Sequence, residues 1–230
     1  NTFAQKHDVS ALLGYQEFYK KYYNVNAANN GLIDESLNQF DEATEMTSIG
    51  GSTEDYATRS YFGRVNYAYD SRYLFEANFR YDGSSRFHKD HRWGFFPSLS
   101  GAWRISEEAF LEDVDFLDNL KLRIGYGTAG NNNIDNNMYA TSYGSGHYGI
   151  NGSDYITYVP GTTLGNSNLK WEKTTTTNVG LDVSVLGSRV NLSVDFYNNE
   201  SSNLLIKNKI PTSTGYSDQY QNIGAIRNRG

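Results

Sequence analysis

Tyr73-Leu74-Phe75-Glu76-Ala77-Asn78-Phe79-Arg80-Tyr81-Asp82 alternates its side chains with a period of two. Side chains of a strand point to opposite faces in turn, so Tyr73, Phe75, Ala77, Phe79 and Tyr81 share one face. Leu74, Glu76, Asn78, Arg80 and Asp82 share the other. The apolar face begins and ends in tyrosine, with wholly apolar groups between. A strand that crosses a bilayer has this form, with amphipathic rings at both water interfaces.

The alternation recurs on both sides of this stretch. Val9, Ala11, Leu13 and Tyr15 share a face of a first strand, and Tyr61, Gly63, Val65, Tyr67 and Tyr69 a face of a second. Further on come Trp93, Phe95, Pro97, Leu99, Gly101 and Trp103, then Leu120, Leu122, Ile124 and Tyr126. Trp171, Lys173, Thr175, Thr177, Val179, Leu181, Val183 and Val185 follow, and then Val190, Leu192, Val194 and Phe196. A weaker eighth strand is predicted around Tyr220 to Arg227. The links alternate as well. Asp70-Ser71-Arg72 and Leu186-Gly187-Ser188 are tight, whereas Tyr22 to Asp55 and Thr128 to Lys170 are long. Loops of that length argue against strands in a compact soluble domain, but membrane barrels have short periplasmic turns and long extracellular loops. Up-and-down order then sends the first, third, fifth and seventh links outward.

Composition narrows the choice. The 230 residues include 20 basic and 26 acidic side chains, a net charge of −6, which argues against nucleic acid as a partner. Nineteen tyrosines and 22 glycines suit a loop-rich all-β chain. Cysteine is absent, so neither a disulfide framework nor a thiolate metal site can form. The first residue is not methionine, and no charged-then-apolar segment opens the chain. Apolar runs such as Ala11-Leu12-Leu13 are far short of the roughly 20 residues a membrane helix needs. Strands closed into a barrel are the other way across.

Aromatic placement supports that route. Tyr61, Tyr81, Trp93, Tyr126 and Trp171 are predicted at the outer strand ends, and Tyr69, Tyr73 and Trp103 at the inner ends. Ala77, Leu99 and Leu122 fall between. A soluble sandwich also alternates, but its apolar face is core and has no reason to carry tryptophan at both ends. A β-sandwich binding or adhesion module and a small self-closed membrane barrel remain the rivals. Pro97 cannot donate to a ladder and predicts an edge or bulge. Lys173 is acceptable on the apolar row only near the outer rim, where it can snorkel. Ser106 is expected to cap a short helix, with Glu107 and Glu108 at its N-terminus and Phe110, Val114 and Leu117 on one face.

Several segments together resemble the SusC/RagA-type family of TonB-dependent outer-membrane transporters. They are Tyr73 to Phe87, the stretch Trp93-Gly-Phe-Phe-Pro-Ser-Leu-Ser-Gly-Ala-Trp103, Leu122 to Asn131, Asn168 to Thr174, Val190 to Ile206 and Asn222 to Gly230. They cover most of the chain from Tyr61 onward; earlier residues match in strand pattern more than in motif. The resemblance implies an outer-membrane barrel of a Gram-negative bacterium, with a signal peptide, an N-terminal plug bearing a Ton box, and a SusD-like surface lipoprotein as lid. It also implies import of oligosaccharides or peptides on energy passed from TonB. Plug, Ton box and signal peptide are absent from residues 1–230. The expectation is therefore a partial, antiparallel, up-and-down transmembrane β-barrel: roughly eight strands of a plugged barrel of about 22.

On that frame, Arg64, Asn66, Glu76, Asn78, Arg80 and Arg123 are candidate lumen-lining or plug-facing residues, although a wet lumen is polar in any case. Tyr139, Tyr143, His147, Tyr148, Tyr155 and Tyr158 are candidate substrate or lid contacts on outer loops, since flat rings among glycine and asparagine suit both sugars and adaptable protein surfaces. Phe87-His88-Lys89-Asp90-His91 lacks the ligand set of a zinc site and is expected to be a solvated loop. Asn131 to Asn137 lacks the calcium-loop order and is expected to be a flexible turn. No cofactor is expected. Without Gly-x-Ser-x-Gly, His-Glu-x-x-His or a phosphate-binding glycine loop, no enzyme is expected either.

Overall fold

A computed structural model of the chain describes every residue except 1, 4, 5, 33, 35, 37, 38, 40–42, 151 and 152, and only the backbone of 2, 3, 46, 145–148, 150 and 153–156. In chain order the strands are β1 (Thr2–Phe3), β2 (His7–Leu32), β3 (Ala43–Tyr69), β4 (Tyr73–Ser84), β5 (Trp93–Arg104) and β6 (Leu117–Asn131). Then come β7 (Tyr143–Ile150), β8 (Ser153–Pro160), β9 (Thr163–Leu164), β10 (Glu172–Val185) and β11 (Val190–Ser202). The last are β12 (Leu205–Lys209), β13 (Asp218–Asn222) and β14 (Ala225–Arg229). Among the described residues, nine of these form one sheet in the order β1-β2-β3-β4-β5-β6-β10-β11-β14, with every pairing antiparallel. β12-β13-β9 make a second small sheet and β7-β8 a separate hairpin.

The register keeps every apolar row in phase. Val65 faces Ala77, Ala77 faces Leu99 and Leu99 faces Tyr126. Tyr67, Phe75, Gly101, Ile124, Val179 and Phe196 form the next row. A slip of one residue anywhere would turn a strand inside out. These side chains are open rather than packed: Phe75 is 47% exposed, Leu99 48% and Ile124 59%. Hence no second sheet covers this face among the described residues, against the sandwich. The sheet is also open, with β14 paired to β11 and β1 to β2, against a small closed barrel.

Two ring ladders bound the apolar band. On one side Tyr15 meets Tyr61 at 5.2 Å, and Trp93 stacks on Tyr81 at 4.8 Å and on Tyr61 at 6.1 Å. On the other, His7, Tyr69, Tyr73 and Trp103 follow at spacings of 4.9, 6.2 and 6.4 Å. Tyr61 and Tyr69 are about 27 Å apart along β3 at 3.4 Å per residue. A strand tilt of about 40° reduces that to roughly 20 Å, which suits the hydrocarbon between two aromatic girdles.

Contacts between links show independently that the odd and even links gather at opposite ends of the sheet. Phe87, Ile134 and Leu169 are buried together, with Met138, Trp171, Leu205 and Tyr220 packed on them. Those seven come from the links between β4 and β5, β6 and β10, and β11 and β14, the third, fifth and seventh, all expected outside. At the opposite end Arg72 of the β3–β4 turn bonds Glu108 at 3.1 Å, and the Leu186 amide donates to the Phe116 carbonyl at 3.0 Å. The β3–β4 turn places Asp70 and Ser71 at φ 51° and 53°. The Arg72 amide closes this turn on the Tyr69 carbonyl at 2.9 Å, and positive φ at both central residues suits the twist of the paired strands.

Five expectations change. The Tyr22 to Asp55 link is mostly ladder, because β2 and β3 stay paired from His7↔Tyr69 to Leu32↔Ala43, with one irregularity at Ala28/Asn29. Hydropathic alternation ends where lipid ends, but backbone pairing does not need lipid. The link after Ser106 forms two single-turn 3-10 helices, Ile105–Glu107 and Ala109–Leu111, separated by extended Glu108. Ser106 is inside the first and caps neither, and Leu117 begins β6. The eighth strand divides: Asp218–Asn222 joins the small sheet, and the wall resumes at Ala225. Trp171 turns away from lipid, giving its Nε1–H to the Arg92 carbonyl at 2.9 Å and packing on Phe87 and Phe96. Tyr126 lies in register with Leu99 instead of the outer rings. Pro97 lies within β5 opposite Phe79, where the β5–β6 ladder has just ended at Ser98↔Gly127, so its missing N–H costs no bond.

Candidate functional site

The polar face of the sheet carries two charge networks. Arg64 Nε donates to Asn78 Oδ1 at 2.7 Å, and Asn78 Nδ2 donates to Glu76 Oε1 at 2.7 Å, which joins β3 to β4. Arg80 pairs with Asp82 at 3.0 Å and lies over the Phe62 ring, while Asn66 donates to Ser10 Oγ at 3.2 Å. Arg123 forms a separate centre. It binds Asp182 through Nε at 2.8 Å and through Nη2 at 2.9 Å, and reaches Asp195 at 3.0 Å. Ser193 Oγ donates to Asp182 at 2.7 Å and completes this group across β6, β10 and β11. A concavity of about 510 Å³ on this face is bordered by Asn66, Glu76, Lys121 and Arg123. All six lumen candidates therefore lie on the polar face, five around β3–β4 and Arg123 apart from them.

The outer links are not loose. Asn132 Nδ2 donates to Tyr56 Oη at 3.0 Å and to Ser84 Oγ at 2.9 Å. Arg86 donates to the Asn132 carbonyl and to Asn136 Oδ1, each at 3.1 Å, and covers the Tyr56 ring at 4.3 Å. Ile134 is buried, so Asn131 to Asn137 is a packed segment where a flexible turn was expected. Phe87 likewise leaves the expected solvated loop for the core, and His88 pairs with Asp90 at 3.1 Å. Asp218 is buried between Thr163, which donates to it at 2.6 Å, Ser217 and Lys207. The Thr163 hydrogen bond first, then those from Ser217 and Lys207, hold its carboxyl below the usual range. At the periplasmic end the Tyr73 hydroxyl, the Trp103 indole and Arg72 hold the Glu108 carboxyl low as well.

The outer tyrosines separate. Tyr139 is half-buried, its ring 6.0 Å from His88. Tyr143 and Tyr158 stand exposed on the β7–β8 hairpin, Tyr158 at 85%. His147, Tyr148 and Tyr155 have backbone in the same hairpin, and their side chains lie outside the described residues. Among the described residues, no three His, Asp or Glu side chains gather as a metal site would require.

Sequence and structure comparisons agree with this geometry. The family model "TonB dependent receptor-like, beta-barrel" matches residues 1–230. The chain belongs to the TonB-dependent receptor-like β-barrel family. It is 46% identical over 185 residues to the TonB-dependent receptor SusC of Bacteroides thetaiotaomicron, which covers 76% of this chain and 18% of that protein. It is 37% identical over 235 residues to the TonB-dependent receptor P39 of Formosa agariphila, covering 100% of this chain and 22% of that one. Its structure matches the RagAB peptide importer in the closed-closed state with a TM-score of 0.90 at 28% identity, covering 100% of this chain and 25% of that one. This barrel segment thus spans about a fifth of the length of the receptors it matches in sequence. Its family is one of outer-membrane transporters of Gram-negative bacteria.

Reading apolar rows alone misses the carboxylates. Asp182 and Asp195 lie in the polar phase of β10 and β11, and the same period of two applied to charge would have found them. Glu108, Arg86 and Asp218 act through folded links, where no period exists to read.

Proposed function

We propose that this segment, residues 1–230 of a barrel domain, supplies wall and outer loops to a SusC-like importer that takes oligosaccharides or peptides across the outer membrane. In this reading TonB acts through a plug elsewhere in the receptor, a SusD-like lipoprotein closes the outside, and the segment itself catalyses nothing. The observation that carries the reading is the joined outer cap: three links share one buried core on the same side of a lipid-facing sheet. A preformed rim is what a lid needs to close against. The likeness to the RagAB peptide importer along the whole chain supports the same assembly.

The residues take roles accordingly. Tyr143 and Tyr158, the β7–β8 hairpin that also carries His147, Tyr148 and Tyr155, and the neighbouring Tyr139 supply the contacts to lid or substrate. Arg64, Asn66, Glu76, Asn78, Arg80 and Arg123 line the path or meet the plug. Deleting the receptor gene, or tonB, is expected to abolish uptake of the same labelled oligosaccharide or peptide, and the receptor is expected to copurify with a surface lipoprotein. Uptake that persists without tonB would contradict the reading.

A further inference from the structure

Above the outer ring ladder, β2 and β3 continue as an arm whose inner face is chemically unlike the rest of the chain. Register is unbroken from His7↔Tyr69 to Ala28↔Ser48, so Phe18, Lys20 and Tyr22 lie on the same face as Ser10 and Arg64. Tyr56 and Glu54 stand opposite Lys20 and Tyr22. The arm borders a cavity of about 510 Å³ that Arg86 and Asn136 close from the third and fifth links. Arg86 is already engaged, over the Tyr56 ring and on Asn136 Oδ1, and Asn136 Nδ2 donates to Glu54 at 3.1 Å. Lys20 is different. Its ammonium has no ion-pair carboxylate among the described residues, so the lining carries two cations, Lys20 and Arg86, against the one carboxylate of Glu54.

We propose that this cavity binds an oligosaccharide bearing an acidic substituent, with Lys20 pairing the anion and the Phe18 and Tyr22 rings stacking on the sugar units to either side of it. The inference rests on the import reading above. Phe18 and Tyr22 are 46% and 53% exposed. Four residues apart on one strand, they stand about 14 Å from each other, with the Lys20 ammonium between them and about 7 Å along the strand from each. An occupant arriving on this face meets side chains, because main-chain N–H and C=O groups of a sheet point toward neighbouring strands and not out of its face. A peptide recognised by strand addition would pair at an open edge of the arm, where β3 has left β4 at Thr58, rather than on the face that borders the cavity. A pyranose needs flat rings for its C–H face and polar groups for its hydroxyls, which Glu54 and Asn136 provide. The cavity size suits a small ligand.

The test uses the intact receptor in detergent on an array of uronate-bearing, sulfated and neutral oligosaccharides and acidic tripeptides, followed by calorimetry on the ligands it retains. Lys20→Met is expected to raise Kd for acidic saccharides about tenfold, equivalent to about 1.4 kcal/mol, and to flatten its salt dependence. Tyr22→Ala is expected to weaken acidic and neutral saccharides alike. Both variants are on an exposed arm, and an unshifted folded band in unboiled gels verifies their barrels. Acidic saccharides that bind with unchanged Kd in both variants would overturn the site but leave the import reading intact. Retention of tripeptides alone, or of nothing on the array, would overturn the ligand class. Failure of the import reading would appear separately, as uptake independent of tonB.

Discussion

Replacing Leu99 by arginine is expected to cost the receptor about 2–4 kcal/mol of folding stability in lipid vesicles, whereas Ser100→Arg, one residue along the same strand, stays within about 0.5 kcal/mol. Leu99 lies in the central apolar row, between Ala77 and Tyr126 and midway between the two ring ladders. An arginine there has neither water nor a partner for its charge, whereas the strand's backbone stays paired on both sides. Ser100 points to the opposite face, directly across from Glu76, where a guanidinium meets a carboxylate and solvent. Urea unfolding monitored by tryptophan fluorescence, with the folded band in unboiled gels as a second readout, measures both. Equal losses would mean that the two faces do not differ in solvent.

Phe87→Ala is expected to loosen the outer cap while leaving the wall standing. Phe87 is 0% exposed, touches Trp171 at 5.5 Å between ring centroids, and shares its core with Ile134 and Leu169. Emptying such a site costs about 3–5 kcal/mol, more than separate loops on a surface can absorb. The loss is local because the strands hold themselves through their ladders, so the links open as a unit of low stability. Trypsin is then expected to cut after Lys170, Lys207 or Lys209 at least tenfold faster than in the parent receptor, with the heat-modifiable barrel band unchanged. Phe87→Leu, which keeps most of the volume, is expected to retain most of the protection. Unaltered proteolysis in Phe87→Ala would show that the third, fifth and seventh links do not depend on one another.

The wall was legible in the sequence because lipid and lumen write the same period of two on every strand. From β2 to β11 the rows of Val65, Ala77 and Leu99, or Phe75 and Ile124, need no tertiary information beyond that alternation. The rings also reported their own height, since Tyr61, Tyr81 and Trp93, and Tyr73 and Trp103, are placed by water at both interfaces. Trp171 broke that rule because it precedes β10 and finds a better partner in the Arg92 carbonyl and the Phe87 ring than in the interface. The upper half of β2 and β3 was read as loop for a related reason. Past the outer ladder both faces meet water, so polarity no longer marks the ladder. The candidate site was legible on the lumen face only as polarity. Its pairings depend on register between strands, as when Arg123 opposes Gly180 and so reaches Asp182 on the diagonal and, across the bare glycine, Asp195 in the same row. The outer cap joins links separated by scores of residues, and no local pattern encodes Asn132 meeting Tyr56 or Thr163 meeting Asp218.

Function rests on which solvent each face meets, and a spin-label scan along β4 reads that most directly. The chain has no cysteine, so a label attached through a single introduced cysteine at each of positions 74 to 80 reports one site, in an intact receptor freed of any other thiol. In liposomes, accessibility to oxygen is predicted to peak at Phe75, Ala77 and Phe79, and accessibility to a water-soluble nickel chelate at Leu74, Glu76 and Asn78. The two profiles should alternate in opposite phase with a period of two. Collisions with the chelate that are equal on both faces, or labels at 75, 77 and 79 that are shielded from oxygen and chelate alike, would contradict a lipid-facing wall and return the apolar face to a protein core.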